Sequence, residues 1–278
     1  MLTSDNAALR SDAKTQDSKR LLRCHRNLVR NMDSQFWRRI LSDLTVKYCV
    51  FATCKGYFTM HPYNYEGMFV SPFDWPAMKQ HIIYAVLSYC GIDIAYNAVF
   101  LPLFIICKTP YVPTFDRPLT SSTLKEFWST RWNKPIKNSL HRGIFSPLLT
   151  GLNARFPAWP RTRHVALAVA ATFTASGLIH DYLFATMASN DAPGSQLVFF
   201  GGQGLLAAMQ WEFVCAMQGT SLGRELVNGP LGKIVGWVIS MLSIVIMLPA
   251  YCGGMARRGS ALHIPVPTAF LDQVQAYM

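Results

Sequence analysis

Charged residues are scarce in this 278-residue chain, and acidic ones are the scarcest. Asp, Glu, Lys and Arg make up 15% of the sequence, while 51% is hydrophobic; ordinary soluble domains carry roughly 25% charged residues. The apolar residues are gathered in long runs instead of being spread along the chain. This composition argues against one or two soluble domains and predicts an all-α, polytopic membrane protein.

The few acidic residues leave a strong positive balance. The chain has 26 Lys and Arg against 15 Asp and Glu, which gives a net charge of +11. Most of the basic residues lie before residue 80 or in the segment 108–163, between apolar runs. In that position they favour anionic lipid headgroups as partners, and we expect no nucleic-acid partner.

Several common motifs are missing, and each absence excludes a class of protein. The seven cysteines form no Cys-x-x-Cys pair, and no His-x-x-His or His-x-x-x-His pair occurs. We therefore expect no metal site and no bound cofactor. The sequence also lacks the Walker pattern. Its first fifteen residues are polar, so no cleavable signal peptide is expected and internal spans would insert the chain.

The apolar pattern divides the chain in two. Residues 1–40 are predicted to be a polar tail and a basic amphipathic helix at the membrane interface, and residues 41–278 a membrane-embedded domain. Residues 41–60 contain Asp43, Lys47 and Lys55 and are interpreted as interfacial or a marginal span. Four spans, each close to the ~20 residues that cross a bilayer, are predicted at 82–107, 165–188, 197–217 and 234–252.

The orientation stays open at this level. The basic loop 108–163 should be cytosolic, which would place the equally basic N-terminus on the other side if a single span preceded the loop. Either residues 41–60 also cross the membrane, or 82–107 is a broken pair of segments around Asp93.

An aromatic motif lies in the basic loop. Thr123 and Glu126 have the spacing of a capping box, and we expect a helix of about ten residues that Pro135 ends. Asn133 would then lie at the helix end, able to donate and accept hydrogen bonds. Two interpretations remain: a cationic cluster that holds the phosphates of a nucleotide-bearing acyl donor, or an aromatic anchor in a positively charged loop. The cationic candidates are Arg131, Lys134, Lys137 and Arg142.

A histidine lies deep in the apolar run 165–188. His180 follows a stretch of small residues and lies one helical turn after Ser176. Small residues allow a neighbouring helix or a substrate to approach closely. A neutral imidazole in such a place can act as a general base, or it can be a structural histidine that bonds another helix. A proton or ion relay through His180, Asp93 and Glu212 in a non-catalytic transport protein is a further alternative.

The two segments together resemble the wax synthase-like branch of the membrane-bound O-acyltransferase superfamily. That branch carries Phe-Trp-x-x-Arg-Trp-(His/Asn) in a loop and a later Ser-Gly-x-x-His on a membrane helix. The matching positions here are Phe127, Trp128, Arg131, Trp132, Asn133, Ser176, Gly177 and His180. The resemblance is good over about 115–185, and little of it is visible before residue 80.

The resemblance implies a bundle of transmembrane helices around a central tunnel, here in a shortened form. An inactive copy of such an enzyme is an alternative. It implies catalytic roles for His180 and Asn133, with Trp128, Arg131, Trp132, Lys134, Ser176 and Gly177 binding the substrates. The implied reaction moves an acyl group, with acetyl preferred, from acyl-CoA to the hydroxyl of a small hydrophobic alcohol or a terpenoid-type metabolite. The implied location is the endoplasmic reticulum and the implied role is secondary metabolism; long-chain wax-ester synthesis is the alternative reaction.

Overall fold

The computed structural model describes residues 34–63, 70–107, 111–187 and 193–256, and within these ranges the secondary structure is helical and contains no strand. The predicted tail and most of the predicted amphipathic helix lie outside them. The helices are α1 Ser34–Met60, α2 Trp75–Cys107, α3 Leu124–Glu126, α4 Lys134–Leu140, α5 Ser146–Arg155, α6 Arg161–Met187, α7 Ser195–Gln218, α8 Ser221–Asn228 and α9 Pro230–Ala256. The fold class is all-α, as predicted.

Three helices in the described ranges are long and apolar enough to cross a membrane. They are Trp75–Cys107, Arg161–Thr186 and Pro230–Cys252, and they confirm three of the four predicted spans by length and composition. The fourth prediction, 197–217, does form the helix α7, which has 24 residues. Its glutamines and Glu212 lower its hydropathy, so it is not one of the three.

The two N-terminal helices form an antiparallel pair. α2 is continuous over 33 residues, with Pro102 inside it, so the interpretation of this segment as a broken pair around Asp93 is wrong. α1 packs along α2 and passes through residue 40, where the sequence suggested a division. The core between α1, α2 and α9 is formed by Phe51, Tyr84, Leu87, Cys90, Leu248 and Cys252.

Helices α6 and α7 pack against each other at two glycines. A Cβ atom added at Gly177 would lie 2.7 Å from the Leu197 Cα, and one added at Gly204 would lie 2.4 Å from the Phe173 Cβ. Both helices therefore approach as closely as backbone and small side chains permit. This close approach brings the C-terminal half of α6 against the first turns of α7.

Asp181 fixes the start of α7 from outside that helix. Its Oδ1 accepts the backbone N–H of Gln196 at 3.1 Å, and its Oδ2 accepts that of Leu197 at 3.0 Å. A carboxylate at this place satisfies first-turn N–H groups that have no partner within the helix and complements the helix dipole. Asp181 is the sequence neighbour of His180, and its carboxylate is used for this capping role.

The contact at Gly177 yields a stability prediction. Gly177→Ala places a methyl group against backbone atoms of α7, which cannot move independently, and we expect a loss of about 1–3 kcal/mol from overpacking. Thermal unfolding in detergent would measure the loss. The matched control is Gly201→Ala, because a Cβ there meets no atom within 4 Å. Equal melting temperatures for the two variants would contradict the close packing.

Candidate active site

The aromatic motif begins as predicted and ends earlier than predicted. The Thr123 Oγ1 accepts the Glu126 N–H at 3.0 Å, which is the expected N-cap. The Glu126 carboxylate reaches back to the N–H of Ser122, one residue before the cap. One α-turn is followed by a π-helical segment, Phe127–Arg131. The prediction that this helix continues to Asn133 is therefore wrong, because the backbone of Trp132 is extended.

Asn133 has a left-handed backbone, with φ 37° and ψ 60°. Asparagine tolerates this conformation better than most residues because its short polar side chain bonds locally. Backbone bonds hold the segment on both sides: the Lys134 N–H donates to the Thr114 carbonyl at 3.0 Å, and the Asp116 N–H to the Arg131 carbonyl at 2.9 Å. The half-buried Asn133 carboxamide makes no hydrogen bond with the described residues, so it is available to a ligand.

Two of the four predicted cations are paired with carboxylates. The Arg131 Nη2 lies 2.6 Å from the Glu126 Oε1, and the Lys134 Nζ lies 3.1 Å from the Asp116 Oδ2. Among the described residues, Lys137 and Arg142 have no such partner. Lys137 and Arg142 therefore keep their charges without a carboxylate partner in the described part of the chain, while Arg131 and Lys134 hold the motif in shape.

The paired carboxyl groups titrate below their ordinary range. The hydrogen bond from Lys134 lowers the pKa of Asp116. Partial burial raises the pKa of Glu126, but the hydrogen bonds from Ser122 and Arg131 outweigh it and the net pKa is lowered. Because both folded-state pKa values are depressed, the stability from these carboxylates is present above the ordinary values of 3.8 and 4.5 and is lost as pH falls through the lowered ones.

The aromatic residues of the motif form one cluster. The rings of Phe127 and Trp132 stack with centroids 5.2 Å apart, and the Trp128 and Trp132 rings meet edge to face at 5.7 Å. Trp128 also contacts Phe173 of α6 and Phe200 of α7, at 5.6 and 6.0 Å. The aromatic residues that could have anchored the loop in the membrane therefore pack against other helices of the protein. Trp128 joins the loop to the α6–α7 pair.

His180 is held in one tautomer by its own helix. Its Nδ1 lies 2.7 Å from the Ser176 carbonyl oxygen. Since a carbonyl oxygen only accepts, Nδ1 carries the proton of the neutral ring and the lone pair is on Nε2. Ser176 itself is buried, and it contributes its backbone. Among the described residues Nε2 has no hydrogen-bond partner, and a half-buried imidazole that can accept a proton at Nε2 can serve as a general base.

Phe200 connects the histidine with the loop motif. Its ring lies 4.4 Å from the His180 ring and 6.0 Å from the Trp128 ring. The structure thus brings the two sequence motifs, about fifty residues apart in the chain, into contact with one aromatic residue. Phe200 could not be predicted from the sequence, because a phenylalanine in an apolar run carries no signal of its own.

A row of glutamines on α7 was also missed. Gln196, Gln203 and Gln210 are spaced by seven residues, so they share one face of the helix. Each donates to α9: to the Tyr251 carbonyl, the Ser243 carbonyl and the Ser240 hydroxyl. The Gln203 Oε1 accepts the Trp128 Nε1–H at 3.2 Å, and the Gln210 Oε1 accepts the Leu124 N–H at 2.7 Å. The spacing itself was the signal that could have revealed them.

The two acidic residues considered for a proton or ion relay have different surroundings. Asp93 pairs with Lys47 of α1 at 2.6 Å, and Glu212 is exposed beside an opening of about 400 Å³ between the ends of α6 and α7. In the described part of the chain, no hydrogen bond or ion pair joins Asp93, Glu212 and His180. This arrangement gives the relay hypothesis no support.

These features define a helical membrane protein with a basic, aromatic loop packed onto a helix that carries a half-buried histidine. Comparison with known proteins then shows what this chain is similar to. Residues 111–201 match the model of the Membrane bound O-acyl transferase family. The matched range contains both motifs, and the resemblance to the wax synthase-like branch of this superfamily is confirmed.

Plant enzymes are among the similar curated proteins. A long-chain-alcohol O-fatty-acyltransferase of Simmondsia chinensis is 27% identical over 167 residues, which is 60% of this chain and 46% of that protein. An acyl-CoA–sterol O-acyltransferase 1 of Arabidopsis thaliana is 26% identical over 102 residues, 37% of this chain and 28% of that protein. A putative long-chain-alcohol O-fatty-acyltransferase 10 of the same plant is 26% identical over 130 residues, 46% of this chain and 37% of that protein. The chain thus spans less than half the length of each.

Proposed function

We propose that this protein transfers an acyl group from acyl-CoA to the hydroxyl group of a hydrophobic alcohol. The observation that carries the proposal is the His180 imidazole: its Nδ1 is bonded to Ser176, its Nε2 is left to take a proton in the described part of the chain, and Phe200 connects the ring with the Trp128 motif. The relatives named above as O-acyltransferases support the same reaction class.

In the proposed reaction, the His180 Nε2 removes the proton from the acceptor hydroxyl. The alcohol oxygen attacks the thioester carbonyl, the carbon–sulfur bond breaks, and the imidazolium returns the proton to the CoA sulfur. The Asn133 carboxamide donates to the oxygen of the tetrahedral intermediate or orients the donor. No covalent enzyme intermediate is needed.

The remaining predicted site residues support these two groups. Trp128 and Trp132 would line the substrate space, while Arg131 and Lys134 keep the loop in shape through Glu126 and Asp116. Ser176 orients the imidazole through its carbonyl, and Gly177 lets α7 approach. Lys137 and Arg142 are the cations left to meet the phosphates of CoA, with membrane lipids around the apolar helices.

The acyl chain and the acceptor are the finer part of the proposal. Acetyl transfer to a small terpenoid-type alcohol, in the endoplasmic reticulum and in secondary metabolism, is the first candidate from the sequence. Fatty-acyl transfer to a long-chain alcohol is the second, and the names of the relatives from Simmondsia chinensis and Arabidopsis thaliana favour it.

A single assay tests the reaction class and separates the candidates. Microsomes that express the chain receive radiolabelled acetyl-CoA or palmitoyl-CoA together with a hydroxylated terpenoid, a sterol or a long-chain alcohol. We expect labelled ester in at least one combination, with one CoA thiol released for each ester formed. Thioester hydrolysis without ester, or no CoA release with any acceptor, would refute the proposed function.

A further inference from the structure

A buried ion pair joins α1 and α2, before the part of the chain that matches the family. The Lys47 Nζ lies 2.6 Å from the Asp93 Oδ2 and 2.5 Å from the Asp43 Oδ2. The side chains of Lys47 and Asp93 are 14% and 5% exposed, whereas that of Asp43 is 58% exposed. In apolar surroundings an unpaired charge is costly, so this pair fixes how α1 lies against α2.

The same ammonium group touches an aromatic residue that reaches the motif. The Lys47 Nζ lies 5.6 Å from the centre of the Tyr89 ring. Tyr89 precedes Asp93 by one turn on α2, so both side chains lie on one face of that helix. The Tyr89 ring contacts Phe115 at 4.7 Å and Trp132 at 6.0 Å. Tyr89 therefore connects the ion pair with Trp132, the residue that precedes Asn133.

Hydrogen bonds extend the cluster to the segment that leads into the motif. The Asn97 Nδ2 donates to the Asp93 carbonyl at 2.8 Å, and the Tyr111 hydroxyl donates to the Asn97 Oδ1 at 2.8 Å. Tyr111 comes three residues before Thr114, whose carbonyl accepts the Lys134 N–H. Contacts on both sides of Asn133 thus lead back to the α1–α2 pair.

We propose that Lys47 and Asp93 are positioning residues for the acyl transfer, holding Tyr89 against Trp132 so that the Asn133 carboxamide stays in place. The role of the motif in acyl transfer rests on the proposed function; the role of the pair in ordering the motif does not. A pair on α1 and α2 then governs a site on the loop and α6, and residues outside 111–201 contribute to the chemistry.

Removal of the pair without leaving a buried charge tests this role. In Lys47→Met/Asp93→Asn, we expect thermal stability close to that of the wild type, because no buried charge is left unpaired and Asp43, which also loses Lys47, is exposed to solvent. We expect kcat to fall by about tenfold or more with KM for the donor nearly unchanged, since small displacements at a reacting centre are costly. A double variant with wild-type kcat would overturn the proposal. Lys47→Arg, which keeps the charge, should retain kcat.

Tyr89 provides a second, independent variant. Tyr89→Phe keeps the ring and should retain kcat, while Tyr89→Leu keeps the ion pair but removes the aromatic contact with Trp132 and should lower kcat as the double variant does. Equal activity of the two substitutions would count against the proposed positioning path.

Hydrogen exchange separates this proposal from the reaction itself. In nanodiscs, peptides covering 111–135 should exchange about tenfold faster in the double variant and in Tyr89→Leu, because the N–H groups of Asp116 and Lys134 lose their fixed partners. Peptides of α6 and α7 should not change. Unchanged protection of 111–135 would refute the positioning role, whereas a wild-type protein without any ester formation would refute only the proposed function.

Discussion

Replacing His180 with alanine is expected to lower ester formation by about 10²–10⁴-fold, the usual contribution of a general base. The physical reason is that the structure leaves the Nε2 of this ring as the proton acceptor, with Nδ1 committed to the Ser176 carbonyl. The measurement is the rate of labelled ester in microsomes, normalised to the amount of protein in the membrane fraction.

His141→Ala is the matched control for this experiment. His141 is exposed, and its ring bonds the Ser146 hydroxyl and stacks on Phe145. Among the described residues its ring makes no hydrogen bond or ring contact with His180 or Trp128, so its loss should leave the rate unchanged. Ester formation at more than a tenth of the wild-type rate in His180→Ala would remove the imidazole from the mechanism.

Replacing Asn133 with aspartate is expected to lower kcat by about 10²–10³-fold, as the loss of one oxyanion donor does. Aspartate has nearly the same shape and also tolerates the left-handed backbone, but its carboxylate cannot donate a hydrogen bond. The variant therefore removes the donor without straining the chain. Steady-state kinetics with varied acyl-CoA would separate kcat from KM.

Asn133→Gly and Asn133→Ala complete the series at this position. Glycine keeps the left-handed backbone and lacks the carboxamide, so it should match aspartate in kcat and the wild type in stability. Alanine adds backbone strain at φ 37° and should also lower stability. An increase in KM with kcat unchanged in the glycine variant would make Asn133 a binding residue.

Part of this site was predictable because the signals are local. The spacing of Thr123 and Glu126 alone predicted the N-cap of the motif helix. The position of His180 deep in an apolar run indicated that this residue has a specific role. The end of the motif helix was misplaced by two residues, because the π-helical segment and the left-handed Asn133 depend on backbone bonds to Thr114 and Asp116, which come from elsewhere in the loop.

The ion pairs of the basic residues in the motif were likewise not predictable from the sequence. Arg131 and Lys134 look like free cations in the sequence, and only the folded loop brings Glu126 and Asp116 against them. Asp93 posed the opposite problem: it was recognised as a costly buried carboxylate, but its partner Lys47 is 46 residues away on another helix. Charge pairing is a tertiary property, and spacing along the chain does not reveal it.

Hydropathy and residue spacing alone predict an all-helical membrane protein with a capped aromatic motif and a histidine deep in an apolar run, because hydropathy, capping and burial cost act within a few residues of each other. The folded structure was needed to find that Phe200 and Gln203 connect that motif with α6 and α9, and that Lys47 neutralises Asp93. The physical reason is that these contacts depend on which helix faces packed against each other and how closely, and glycines such as Gly177 set that approach.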